Sequence, residues 1–85
     1  MSSSTKLRNI GPVSAGWLAD VGVRSIDDLQ RIGVVATYAL VSRRRKGVSL
    51  NLLWALEGAL HDVDWRELSP ETKDRLLKEL EAMLA

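Results

Sequence analysis

The segment from Leu50 to His61 is the strongest constraint on what this chain can become. Leu50, Leu52, Leu53, Trp54, Ala55, Leu56, Ala59 and Leu60 put apolar side chains on nearly every face of a helix. A helix that is apolar all round is stable in water only when neighbours pack on several of its sides. The chain has 85 residues, enough for one compact domain and too few for a second hydrophobic core. The other segments must therefore wrap this helix. Glu57 interrupts it, and a carboxylate in such surroundings has to be hydrogen-bonded or paired, with an arginine or with the indole N–H of Trp17 or Trp65. Its expected role is structural.

The wrapping segments carry their own start and stop signals. Residues 1–5 read as a disordered polar tail, and a short helical turn is expected around Lys6 to Asn9, stopped by Ile10-Gly11-Pro12. Pro12 suits the first turn of a helix, because that N–H has no intrahelical partner anyway, so Pro12 to Val21 reads as a helix with Val13, Trp17, Leu18 and Val21 on one face. Ser25 is a natural N-cap with Asp28 three residues on, and Ile26, Leu29 and Ile32 follow at helical spacing before Gly33. Val34 to Arg45 is rich in β-branched residues, but Val34, Val35, Tyr38, Val41 and Ser42 follow the helical period and no partner strand exists, so a helix is expected. After a loop from Asp62 to Leu68, Ser69-Pro70-Glu71 opens a last helix running to about Leu84. There Leu76, Leu77, Leu80, Met83 and Leu84 form the apolar stripe that closes the core.

Several function classes lose support at this stage. With 46% hydrophobic and 27% charged residues the chain has enough apolar surface to offset chain entropy and fold. A domain this small leaves little room for a deep closed pocket, which disfavours a cofactor enzyme, and no cofactor is expected. Cysteine is absent, so disulfides, thiolate metal sites and cysteine nucleophiles are excluded. His61, Asp62 and Asp64 sit together at a helix end without a second ligand group elsewhere, and no metal site is expected. Ser14, His61 and Asp62 form a catalytic triplet only on paper, since no nucleophile turn or oxyanion hole accompanies them. Glycine-rich phosphate loops are missing too. No catalytic residue is assigned. The start lacks the apolar run of a signal peptide and no stretch is long enough to span a bilayer, so a cytoplasmic protein without membrane partners is expected.

Charge is distributed unevenly. Residues 1–46 carry eight Lys/Arg against three acids, and 47–85 carry four against eight. A basic half facing a polyanion is one reading, and attraction between the halves of one domain is the other. Arg43, Arg44, Arg45 and Lys46 form the one dense basic run. Cations at a helix C-terminus complement its dipole, but four in succession exceed that need.

The stretch from Leu7 through Ile10-Gly11-Pro12 to Leu18 looks like a helix-hairpin-helix unit, in which a tight hydrophobic-Gly turn joins two short helices. Backbone N–H groups at such a turn can meet a DNA phosphate. Lys6, Arg8 and Ser14 would add charge and a hydroxyl to the same place. Asn9 stands where the usual form has a second glycine; it can tolerate the turn but crowds close approach of the backbone. The same hairpin also serves as a plain scaffold or protein-binding element.

A longer pattern is more specific. Asn9-Ile10-Gly11-Pro12, Trp17-Leu18, Val21-Gly22-Val23, Asp28-Leu29, Ile32-Gly33-Val34, the run Leu50-Asn51-Leu52-Leu53-Trp54-Ala55-Leu56-Glu57-Gly58-Ala59-Leu60 and then Trp65 resemble, in that order, the C-terminal domain of the TfoX/Sxy competence regulators. The resemblance covers residues 5 to about 80. It implies an all-α fold, here a compact bundle of five or six short helices with a helix-hairpin-helix-like (SAM-like) N-terminal part, and a single helical domain over residues 6–85. It also implies a role linked to transcriptional activation of DNA-uptake genes, in which the full regulators act with the cyclic-AMP receptor protein and usually carry an α/β N-terminal domain. Only the C-terminal domain is expected in this chain.

Two functional readings result. In the first, a non-enzymatic regulatory module contacts duplex DNA, without sequence preference, through Lys6, Arg8, Asn9, Gly11 and Ser14 of the hairpin and Arg43, Arg44, Arg45 and Lys46 of the basic run. In the second, the module docks on a transcription-related protein or forms a homodimer, with an exposed Trp17 or Trp65 as anchor. Stacking platforms for single strands are not expected, since there are only four aromatic residues and most sit among core residues.

Overall fold

The computed structural model describes residues 9–84. The expected tail over 1–5 and the turn from Lys6 to Arg8 lie outside them. Five α-helices follow one another: α1 (Pro12–Asp20), α2 (Ile26–Ile32), α3 (Val34–Arg44), α4 (Leu50–His61) and α5 (Pro70–Leu84), with a 3₁₀ turn at Trp65–Glu67. Among the described residues there is no strand.

The helix ends explain how so much helix fits into so short a chain. α1 stops where Gly22, at φ +89°, turns the backbone left-handed, and the Val23 and Gly22 N–H groups bond back to the carbonyls of Leu18 and Ala19. This is the paired bonding of a Schellman stop. α4 stops the same way, with Asp62 at φ +57° in the left-handed position and the Val63 N–H bonded to the Gly58 carbonyl at 2.8 Å. Gly33, at φ +99°, serves two helices at once. Its N–H closes α2 on Leu29 at 2.7 Å, and its carbonyl accepts from Thr37 to open α3. At α2 the Ser25 hydroxyl accepts from the Asp28 N–H at 3.2 Å, while the Asp28 carboxylate reaches back to the Arg24 N–H at 3.0 Å.

α4 is the buried helix that its sequence requires, with Leu53 and Leu56 fully enclosed. The hub, however, is shared with α3, which packs on each of the four other helices. Leu18 from α1, Val23 from the loop after it, Leu29 from α2, Val41 from α3 and Leu76 from α5 complete one contiguous core. Two expected faces differ. Val13, placed on the buried face of α1, is 67% exposed; α1 is short and inserts mainly Leu18, with Trp17 and Val21 half-buried beside it. The apolar stripe of α5 holds for Leu76 and Leu80, but Met83 and Leu84 are 50% and 62% exposed, at the last turn of the helix.

Gly58 is the one glycine of the chain without room for a side chain. A Cβ there would lie 2.6 Å from the Asn9 side-chain nitrogen, 2.7 Å from the Val63 carbonyl oxygen and 3.3 Å from the Trp65 Cα. Gly58→Ala is therefore expected to destabilise the domain by about 1–3 kcal/mol, as overpacking against backbone does. Gly16, on the exposed side of α1 with open space around it, gives the opposite sign. There alanine should stabilise by roughly 0.5–1 kcal/mol through helix propensity. Denaturant titration of the two variants checks both. A second expectation concerns acid. The Arg24 N–H, and after it the Arg31 guanidinium, hold the Asp28 carboxyl below its ordinary 3.8. Folding thus favours the deprotonated form, and the stabilisation is full above the ordinary value and fades as pH falls through the lower folded one. Thermal melts of Asp28→Asn should start lower than those of the parent at neutral pH and converge with them in strong acid.

Candidate nucleic-acid interface

The chain enters α1 through Asn9, a non-glycine residue at φ +71°. Asparagine tolerates this left-handed conformation better than most side chains. Its amide nitrogen donates to the Val63 carbonyl at 2.9 Å, so the side chain ties the turn to the end of α4. Gly11 follows as the N-cap of α1, exposed and without a capping side chain. Pro12 has no N–H, and the amides of Gly11, Val13 and Ser14 have no partner among the described residues. The Ser14 hydroxyl likewise makes no hydrogen bond among them. An uncapped helix start of this kind concentrates partial positive charge.

The basic run meets α1 further along, at Trp17 and at Asp20, the last residue of the helix. Arg45 leaves the end of α3, bonds to Asp20 of α1 at 3.3 Å and sits 5.3 Å from the centre of the Trp17 ring. A cation over an indole contributes about 0.5–1 kcal/mol at an exposed site, and an exposed ion pair little more. Arg45 thus works as a strut between α1 and α3. Arg43, Arg44 and Lys46 are exposed, and no carboxylate among the described residues pairs with them. Three uncompensated cations within four residues form a ridge beside the strut. Below it the chain turns at Gly47, φ +76°, and the Tyr38 hydroxyl fixes the loop by donating to the Val48 carbonyl at 3.0 Å. Of the hairpin candidates, Asn9, Gly11 and Ser14 come together at the entry to α1; Lys6 and Arg8 lie outside the described residues.

Between the α1 entry, this loop and the start of α4 runs an open groove of about 400 Å³. Asn9, Ser14, Trp17, Ser49, Asn51 and Trp65 are among the residues that line it. Sequence reading missed Ser49 and Asn51 and assigned the two indoles chiefly to packing. The groove is built from three segments far apart in sequence, and no periodicity links them.

Glu57 lies elsewhere. It is 3% exposed, and one of its oxygens accepts from Arg75 at 2.9 Å and lies 3.1 Å from the His61 Nε2. The arginine expected from sequence is found, and the indoles are not its partners. Among the described residues no group of three or more His, Cys, Asp or Glu side chains could hold a metal ion. No helix is long and apolar enough to cross a membrane, again among the described residues. Arg75→Met would leave the Glu57 carboxylate buried with His61 alone. The expected cost is about 2 kcal/mol, below that of a fully buried pair because Arg75 is half-exposed and water partly replaces it. Chemical denaturation reads it directly, and Arg75→Lys should recover part of the loss.

These features define a small all-α domain with an open groove lined by polar, aromatic and aliphatic residues. The chain belongs to the TfoX C-terminal domain family, whose pattern matches residues 2–80. Two crystal structures from Listeria monocytogenes are similar to it. One, of an uncharacterized protein in a triclinic form, shares 25% identity at a TM-score of 0.83 and covers 99% of this chain and 96% of its own. The other, of a protein of unknown function in a tetragonal form, shares 27% identity at a TM-score of 0.81 and covers 95% of this chain and 99% of its own. Among curated proteins no sequence matches.

Proposed function

We propose that this domain is a non-enzymatic regulatory module that holds duplex DNA by its phosphates, in the setting of bacterial transcription or competence control in the cytoplasm. The observation that carries this reading is the Arg45 strut. By bonding Asp20 at the end of α1 and lying over Trp17, Arg45 fastens the end of α3, with Arg43, Arg44 and Lys46 around it in sequence, to the helix whose start is uncapped. Backbone amides, a serine hydroxyl and point cations are the groups that contact phosphate without reading bases. Family membership supports a regulatory role over a catalytic one.

The test is a titration of labelled duplex at low and physiological salt, with two unrelated sequences. Affinity should be equal for the two and should fall with salt. Replacing Arg43, Arg44 and Lys46 together by alanine should weaken both complexes and flatten the salt dependence by about 0.9 in slope for each phosphate no longer neutralised. Arg45 is left in place because it holds α1 and α3 together. A second reading, docking on a transcription-related protein, is favoured by Val13, an apolar side chain 67% exposed in the first turn of α1. Loss of partner capture by Val13→Ser, with no duplex binding at low salt, would favour it over the first.

A further inference from the structure

Phosphate contact with a duplex accounts for amides, a hydroxyl and cations. It does not account for the groove beside them. A duplex keeps its bases stacked inside and presents a convex backbone, whereas the surface here is concave, and Trp17, Trp65, Ile10 and Leu52 line it. Both indoles are half-buried and so keep part of their surface at the groove. Two indoles lining one groove, with Arg45 over one of them and Lys46 next in sequence to the lining residue Gly47, are the chemistry that holds single bases, because every base has a face to stack. The Asn51 amide and the Ser14 hydroxyl, neither engaged in a side-chain hydrogen bond among the described residues, supply donors and acceptors for a base edge or a sugar. At about 400 Å³ the space lies within the range of small-ligand sites, which suits one nucleotide and not a run of them.

We infer that the groove receives one unpaired nucleotide of a nucleic acid whose flanking phosphates lie on the Arg43, Arg44 and Lys46 ridge and at the start of α1. The inference rests on the nucleic-acid reading above and narrows it, from any duplex to a duplex with an unpaired end or bulge. Trp65 receives the base, and Asn51 orients it.

The experiment compares three labelled probes at low salt: a short blunt duplex, the same duplex with a few unpaired nucleotides at one 3′ end, and that tailed duplex with abasic sites in the tail. Anisotropy gives affinity, and tryptophan emission reports on the groove. The tailed duplex should bind about tenfold more tightly than the blunt one, a typical stacking gain, and should quench tryptophan emission, while the abasic tail gives neither effect. Asn51→Ala, at an exposed position, and Trp65→Leu should remove the gain and leave blunt-duplex affinity unchanged. The Arg43, Arg44 and Lys46 triple alanine variant should weaken all three probes. Equal affinity for the three probes without quenching overturns the nucleotide site and leaves phosphate contact standing. No binding of any probe overturns the nucleic-acid reading itself and with it the inference, and directs the search to a protein partner.

Discussion

With no side chain at Gly58, three pieces of backbone and side chain can share one small space: the Asn9 amide, the Val63 carbonyl and the Trp65 backbone. The groove depends on that convergence. Asn9 forms one end of it and Trp65 contributes one wall, and both are positioned by being pressed onto the bare surface of α4. The Asn9 to Val63 hydrogen bond then fixes the entry to α1 at the point where α4 ends. A helix that is apolar on all sides supplies adhesion without direction; the missing Cβ gives the contact a register. The energetics come from burial of leucines such as Leu53 and Leu56, and the geometry of the candidate site from one absent methyl group.

The charged groups divide into those that hold the fold and those left over. Glu57 is satisfied by Arg75 and His61, Asp28 by Arg24 and Arg31, and Asp20 by Arg45. Each joins neighbouring turns or helices, and the costs of burial or exposure keep each contribution modest. Arg43, Arg44 and Lys46 stand outside this arrangement. Their mutual repulsion is tolerated at the C-terminal end of α3, where the helix dipole favours positive charge.

Much of the fold was legible in the residues. Ser25, Gly33, Gly11-Pro12 and Ser69-Pro70 marked helix limits because they act through their own backbone geometry or a local hydrogen bond, and such effects need no knowledge of distant chain. The all-round apolar pattern of Leu50 to His61 gave α4 its limits for a similar reason. Val13 misled because a nine-residue helix has too few turns for periodicity to separate a buried residue from an exposed one. Met83 and Leu84 continued a real stripe into the final, exposed turn. The groove was the least legible part. Asn9, Ser49 and Trp65 are ordinary residues separately, and their meeting depends on how three helices pack. The departure at Asn9 from the usual hairpin pattern could be seen in sequence, but its use, a left-handed turn fastened to Val63, depends on the partner carbonyl.

Gly33 leaves α2 and α3 without a connecting loop, since the bond that finishes one helix and the bond that begins the other belong to the same residue. Two helices joined in this way cannot pivot independently: a change in their angle would break the end of one or the beginning of the other. The pair therefore behaves as a rigid elbow, and its longer arm, α3, carries the basic ridge at its far end.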